Sequence, residues 1–388
     1  MKTCEVMIRI FPSPTEYPDN RLFSLDLLRG IDMFYLTVVT TFIEPLFKAL
    51  GADPSWNRFF CSHPWEGFTL YDLIMPLFIF MCGAAIPFSL QRRLVAGKPA
   101  SGYWRHVWSR VIMLWLLGML AQGDLASLNI HRISFYSNTL QTIALGYLVA
   151  AFLITSRSWK IRIGFPAALV IVYGLIVHFG GDYTKDGNVT QIAELKILRS
   201  IMPADNAQIG YIEKYGYTWY LPSMIFPVIT MAGYFASEIL RRKEVSAWKR
   251  ALWLGTYGAV SLAIGWVLVI AGVKMVKHIF SVSFTFQAIG WSALLLTVLY
   301  VLTDIWKLRR GTGLLLLFGQ FALTAYLCES VFRDACFSAS ERLFSGVGDL
   351  VGPKWRDPVL AVGFGLIVIT VVAIRRQLAM AKCKRFRS

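Results

Sequence analysis

Residues 63–83 read HPWEGFTLYDLIMPLFIFMCG, a histidine-led turn followed by an apolar run that contains one aspartate, Asp72. The apolar part matches the roughly 20 residues that a helix needs to cross a bilayer. Because lipid offers the backbone no hydrogen-bond partners, a spanning run of this length is predicted to be an α-helix. The composition agrees, since 56% of the 388 residues are hydrophobic and only 16% are charged.

Similar apolar runs recur along the whole chain, and they predict an all-α polytopic membrane protein, a bundle of about ten transmembrane helices. We place the spans at about 25–47, 68–90, 105–122, 138–155, 161–179, 219–240, 249–272, 282–305, 312–332 and 357–374. No repeat or shift in composition marks a second domain. Residues 1–388 are therefore predicted to form a single transmembrane domain, with 1–24 as a cytoplasmic segment and 180–218 and 333–356 as extracytoplasmic loops.

The basic residues predict the orientation of the chain. Most of the 39 lysines and arginines lie in alternate connections, so both termini are predicted to face the cytoplasm and His63 the opposite side. The net charge of +16 is spread periodically and forms no single patch, which argues against a nucleic-acid partner. The N-terminal 20 residues lack the apolar core of a cleavable signal, so the first helix is the expected insertion signal.

The six cysteines are scattered and include no CxxC pair, which argues against a zinc or redox site, and no metal is predicted. Cys61 and Cys336 both fall on the predicted outer side. A disulfide between them and two free, packed thiols are both open interpretations.

Charged residues inside the first helix are the clearest polar anomaly. Asp26, Arg29 and Asp32 follow one another at a spacing of three, so Arg29 is able to meet either acid on the helix surface. Ionisable groups in a bilayer cost about 2.5 to 3.5 kcal/mol each on insertion scales, and they mark either a buried pair or a site. The residues are consistent with a structural ion pair and with a cation that meets a phosphorylated ligand from the cytoplasm.

The second helix carries Asp72 between Thr69 and Pro76. Proline removes a backbone hydrogen bond, and such residues are tolerated in membrane helices where they line a cavity or are buried in protein. His63 precedes this helix and is either a solvated loop residue or a general base, because an imidazole titrates near neutral pH.

Five stretches together resemble the heparan-alpha-glucosaminide N-acetyltransferase family of transmembrane acyltransferases, which includes bacterial members. They are RLFSLDLLRGIDMF (21–34), HPWEGFTLYDLIMPLFIFMCGAAI (63–86), NTLQTIALGYLVA (138–150), WYLPSMIFPVITMAGYFASEIL (219–240) and VKHIFSVSFTFQAIGWSALLLTVLYVLTDIW (276–306). The first two are the more specific. The resemblance implies transfer of an acetyl group from cytoplasmic acetyl-CoA to an amino sugar, such as a glucosamine-type glycan end, beyond the membrane.

The resemblance also implies roles for individual residues. The family's catalytic histidine falls on His63 and the acid after it on Asp72, which would orient the imidazole. The family's functional asparagine falls on Thr40, whose hydroxyl offers fewer hydrogen bonds than an amide. A further polar position is expected near Gln320, where Phe321 follows.

Arg29, Asp26 and Gln141 are the candidate cofactor-binding residues for acetyl-CoA, which acts as a co-substrate. The predicted partners are membrane lipid and an amino sugar or glycan acceptor, and a homodimer is left open. The resemblance places the chain in a bacterial inner membrane. Two alternatives remain at this point, an O-acetyltransferase of an envelope polysaccharide and a polytopic solute transporter.

Overall fold

The computed structural model describes residues 22–61, 64–90, 93–95, 98–156 and 158–385. The helices are α1 (Phe23–Phe34), α2 (Thr40–Leu50), α3 (Pro54–Cys61), α4 (Leu70–Ser89), α5 (Tyr103–Ala121), α6 (Thr139–Thr155), α7 (Trp159–Phe179), α8 (Val189–Ile201), α9 (Ala207–Tyr215), α10 (Phe226–Arg241), α11 (Ala247–Ile270), α12 (Val282–Leu299), α13 (Gly313–Gln320), α14 (Ala322–Ser330), α15 (Arg333–Val351) and α16 (Pro353–Arg385). Two-residue strands β1 (Leu94–Val95) and β2 (Lys98–Pro99) pair antiparallel. The all-α membrane fold is confirmed.

Within the described residues, seven helical segments are long and apolar enough to cross a membrane, or eight if α13 and α14 count as one broken span. Each of the ten predicted spans coincides with helix. Two of them are not among the helices that are long and apolar enough to cross a membrane. The helix α6 has only 17 residues, or about 25 Å, and α5 is less apolar because it carries Arg105, His106 and Arg110 in its first half. The span predicted at 312–332 is bent by 79° between α13 and α14.

The two connections that we predicted to be loops are largely helical, which corrects that part of the sequence interpretation. The segment 180–218 contains α8 and α9, and 333–356 contains α15 and the start of α16. In α15, Ser340 donates its hydroxyl to the carbonyl of Leu360 in α16 at 2.7 Å. These helices carry many polar residues, so a search for apolar runs does not find them.

The described chain forms two compact units, one from residues up to 61 together with those from 298 onward, and one from residues 64–297. In the second unit, α4 and α10 touch backbone to backbone. A Cβ on Gly83 would lie 1.7 Å from the carbonyl oxygen of Thr230, and one on Gly233 would lie 1.9 Å from that of Phe80. Small residues allow such close helix contacts in membranes, where packing rather than the hydrophobic effect drives association.

The first unit is held by a similar contact between α1 and α13. A Cβ on Gly30 would lie 1.8 Å from the carbonyl oxygen of Leu315. Phe34 and Phe318 extend the same contact, edge to face, with ring centroids 5.3 Å apart. Tyr35–Val39 then forms a π-helical turn between α1 and α2, a feature that is frequent at functional sites.

The α4–α10 contact predicts a large difference between two glycine substitutions. Gly83→Ala should destabilise the protein by about 1 to 3 kcal/mol, because the added methyl group meets a backbone oxygen and a helix has to shift. Gly164→Ala in α7 is the matched control, since nothing lies within 4 Å of its Cβ position. The control should be neutral or stabilising by up to about 1 kcal/mol. Thermal unfolding in detergent measures both, and equal midpoints would contradict the close packing.

Candidate functional site

His63 lies outside the described residues, and the described chain resumes at Pro64. The residues directly after it lead into α4, which begins at Leu70. Asp72 is fully buried, and its Oδ2 atom accepts hydrogen bonds from the backbone N–H and the hydroxyl of Thr69, both at 2.8 Å. A Thr before the first helical residue and an acid three positions later are the pattern of a helix cap. Asp72 therefore fixes where α4 begins.

The other carboxylate oxygen of Asp72 faces a buried cation. Its Oδ1 atom lies 3.4 Å from Nζ of Lys277, and the two side chains are 1% and 6% exposed. The same ammonium donates to the carbonyl of Tyr71 at 3.4 Å and lies 5.1 Å from the centroid of that ring. Burial lowers the pKa of Lys277, and the carboxylate of Asp72 works against this shift. The pair links the start of α4 to the connection between α11 and α12.

The segment that follows His63 is attached to this same connection. Trp65 stacks on His278 with ring centroids 4.8 Å apart and planes inclined by 25°. The indole N–H of Trp65 donates to the carbonyl of Tyr183 at 2.8 Å, and the N–H of Gly67 donates to the carbonyl of Met275 at 2.9 Å. Residues 64–69 are therefore held on both sides.

Six rings contact one another in succession. We call them the aromatic row, and in order they are Trp65, His278, Tyr217, Trp219, Tyr136 and Trp115. Successive ring centroids after the first stacked pair are 5.3, 4.9, 6.1 and 5.1 Å apart. Aromatic pairs at these separations attract one another beyond the burial of their area. The row is thus an unbroken series of ring contacts from Trp65 to Trp115 in α5.

Glu194 anchors the middle of the aromatic row. It is 1% exposed, and its Oε2 atom accepts hydrogen bonds from the backbone N–H groups of Trp219 at 2.6 Å and Tyr220 at 3.0 Å. Burial raises the pKa of Glu194 to about 8, although the two N–H donors oppose the shift. Sequence analysis missed this residue. Its signal is weak, because three of the four buried positions of α8, Thr190, Gln191 and Glu194, are polar and only Leu198 is apolar.

The predicted cofactor contacts in α1 form an ion pair. Nη1 of Arg29 lies 3.2 Å from Oδ1 of Asp26, so the structure selects Asp26 over Asp32 as the partner. Asp32 is buried, and its Oδ2 atom has no hydrogen-bond partner among the described residues. The geometry agrees with a structural pair, and the cofactor roles of Arg29 and Asp26 stay predictions.

Thr40 begins α2 directly after the π-helical turn. Its hydroxyl donates to the carbonyl of Leu36 at 2.6 Å. Thr37 bonds in the same way to Met33 at 2.8 Å. Such bonds tie threonine side chains to their own helix and commonly accompany a local bend. The role of Thr40 in catalysis stays a prediction.

Gln141 caps α6. Its Oε1 atom accepts from the backbone N–H groups of Ser137 and Asn138 at 3.0 and 3.1 Å, and its Nε2 atom donates to the carbonyl of Phe135 at 2.6 Å. Both ends of the amide are therefore engaged in shaping the start of the helix, and this structural role accounts for its burial. Binding of a cofactor by Gln141 stays a prediction.

Cys336 is buried, and so is Cys328. Both are free thiols. The side chain of Cys61 lies outside the description, so the pairing of Cys61 with Cys336 stays a prediction.

A scan against models of known protein families and a search of curated proteins both found no match for this chain. In the described part of the chain, no group of three or more His, Cys, Asp and Glu side chains is arranged to hold a metal ion. The site has to be interpreted from its own geometry. It offers a buried acid–amine pair, an imidazole stacked on Trp65 and a series of aromatic rings beside residues 64–69.

The raised pKa of Glu194 predicts a pH-dependent stability. The unfolded chain loses this proton near pH 4.5, whereas the folded chain keeps it up to about pH 8. The stability contribution is therefore fully present below about pH 4.5 and is lost as the pH rises toward 8, by on the order of 4 kcal/mol. Thermal unfolding should show a smaller fall between pH 5 and pH 8 in Glu194→Gln than in the wild type.

The matched control is Glu213→Gln, because the Glu213 side chain is 47% exposed and pairs with Arg199 at the surface. It should keep the wild-type pH slope. A Glu194→Gln protein with that same slope would show that Glu194 does not hold its proton in the folded state.

Proposed function

We propose that this protein is a transmembrane acetyltransferase that moves an acetyl group from cytoplasmic acetyl-CoA to an amino sugar on the far side of the membrane. One observation carries the proposal. The residues directly after His63 lead into a cluster of buried ionisable and aromatic groups, in which Trp65 stacks on His278 and Asp72 pairs with Lys277. The family resemblance of the surrounding stretches supports it.

The chemistry asks for one proton acceptor. A sugar ammonium must first lose a proton, and an imidazole with a pKa near 6.5 is suited to accept it. The free amine then attacks the thioester carbon, so that a C–N bond forms and the C–S bond breaks. The coenzyme leaves as a thiolate and takes up the proton that the attacking nitrogen loses as the amide forms. The imidazolium of His63 releases the first proton to water, so the products are one amide, one thiol and one proton. A two-step route, in which His63 carries the acetyl group, has the same balance.

The fixed groups have positioning roles in this proposal. Both oxygens of Asp72 are engaged, one by Thr69 and one by Lys277, so its part is to set the start of α4 rather than to receive the substrate proton. Trp65 is held by its own hydrogen bond to Tyr183 and by His278. This attachment keeps the chain next to His63 in one place.

The test compares two histidine variants in purified full-length protein. His63→Ala should lower acetyl transfer from acetyl-CoA to glucosamine by about 10² to 10⁴-fold while acetyl-CoA binding is retained, because general-base catalysis contributes this much. His131→Ala is the matched control, since His131 is exposed and hydrogen-bonded to Asp205 at 2.7 Å. It should keep wild-type activity. Near wild-type transfer by His63→Ala would contradict the assignment.

A solute transporter is the second candidate, and a specific observation in the first unit favours it. The bend of 79° between α13 and α14 breaks a span, and Asp32 is a buried acid in a membrane helix. Broken helices and intramembrane acids often form transport sites. Uptake of unmodified glucosamine by proteoliposomes without acetyl-CoA would favour this candidate over the acetyltransferase.

A further inference from the structure

Four buried polar atoms near Glu194 have no hydrogen-bond partner among the described residues. They are Oε1 of Glu194, Oε1 of Gln191, Oε1 of Gln208 and Nε1 of Trp219. All four side chains are at most 5% exposed. A buried polar group without a hydrogen-bond partner destabilises a fold, so four in one region call for an explanation.

These groups belong to one neighbourhood. Gln191 and Glu194 lie one turn apart on α8, and the other oxygen of Glu194 binds the backbone N–H of Trp219. Gln208 of α9 is linked to them through Tyr136, because its Nε2 atom donates to the carbonyl of Tyr136 at 2.8 Å. The rings of Tyr136 and Trp219 lie side by side in the aromatic row.

The surrounding contacts hold the unmet atoms in place. The bond from Nε2 of Gln208 to Tyr136 fixes which end of that amide is left over, and it is the acceptor. Ser223 donates its hydroxyl to the hydroxyl of Tyr136 at 3.0 Å and so holds this ring. The group is therefore pre-organised.

The chemistry of the leftover atoms selects a class of ligand. Two amide acceptors, one indole donor and a protonated carboxyl group suit a molecule that carries several hydroxyl groups, because a hydroxyl both donates and accepts hydrogen bonds. Aromatic rings next to them suit an apolar face, because rings supply flat contact area with a polar edge. A sugar ring has both features, with apolar C–H faces and a rim of donors.

We propose that Gln191, Glu194, Gln208 and Trp219 form a subsite for the ring of a hexose or hexosamine. The aromatic row connects this subsite to Trp65, two positions after His63 in the chain. This inference deepens the proposed function and rests on it for the fate of the sugar, which is to accept the acetyl group. The binding of the ring itself does not depend on acetyl-CoA.

The test uses Trp219→Phe, which deletes the unmet N–H and keeps an aromatic ring. Equilibrium binding of radiolabelled glucosamine to the purified full-length protein, without acetyl-CoA, should weaken about 5- to 10-fold, the loss expected for one hydrogen bond. Its thermal stability should stay equal or rise, because a buried N–H without a partner is removed. Trp266→Phe is the matched control, because this tryptophan of α11 is 57% exposed and is not part of the aromatic row, and it should bind like the wild type.

Gln191→Met gives an independent check, because it deletes one unmet acceptor and keeps an unbranched side chain of similar size. It should also weaken glucosamine binding. Unlabelled glucose should compete for the site, whereas ethanolamine, an amine without a ring, should not compete at the same concentration. Wild-type affinity in both variants, or no glucosamine binding by the wild type, would overturn the subsite and leave these atoms to bound water.

The result is separable from the test of the proposed function. If glucosamine binds through these residues but acetyl-CoA neither binds nor donates, the subsite stands and the acetyltransferase proposal fails. If acetyl transfer depends on His63 but glucosamine affinity is unchanged in Trp219→Phe and Gln191→Met, the subsite fails and the proposed function stands.

Discussion

The buried ion pair between Asp72 and Lys277 is the interaction on which the arrangement of the second unit depends. Two charges at 1% and 6% side-chain exposure have lost most of their hydration, and each is tolerable only beside the other. Asp72 also caps α4 through Thr69, so one carboxylate both starts a helix and neutralises a cation from a distant connection. The segment after His63 is held between these two elements.

Close packing extends this constraint into the membrane. From the cap at Thr69, α4 runs to Gly83, where it meets the backbone of α10. The start of α10 in turn follows the segment of Trp219 and Tyr220, which Glu194 holds by their backbone N–H groups. The polar cluster and the contact between α4 and α10 are thus connected through these two helices. A substitution in one of them is expected to affect the packing of the other.

The long apolar runs were sufficient to predict the membrane helices but not the helices within the polar connections. Each predicted span coincides with helix, because twenty apolar residues have few alternatives in lipid. The helix α15 was missed because its serines, glycines and charges are typical of a loop, and its few buried positions become visible only once it packs on its neighbours, chiefly α16. The bend between α13 and α14 falls at Gln320 and Phe321, where one polar residue within an apolar run is too weak a signal to predict a break.

The candidate site was predictable in part for the same reason. Thr69 and Asp72 have the spacing of a helix cap, so their place was readable, whereas Lys277 is more than 200 residues away and only the fold brings it to Asp72. Spacing alone left Arg29 with two acids, and the structure chose Asp26. The sequence gives no reason to distinguish Glu194 from the exposed Glu213. Only the burial of Glu194 in the fold distinguishes them.

The most direct measurement of the central claim is a double-mutant cycle on Asp72 and Lys277 in the full-length protein. Asp72→Asn keeps an acceptor for the helix cap, and Lys277→Met keeps most of the side-chain volume. Each single change should lower the free energy of unfolding by up to about 3 to 5 kcal/mol, because it leaves one buried charge without its partner. The double variant should lose clearly less than the sum, with a coupling of about 1 kcal/mol or more. Strictly additive losses would contradict the claim that this pair organises the site.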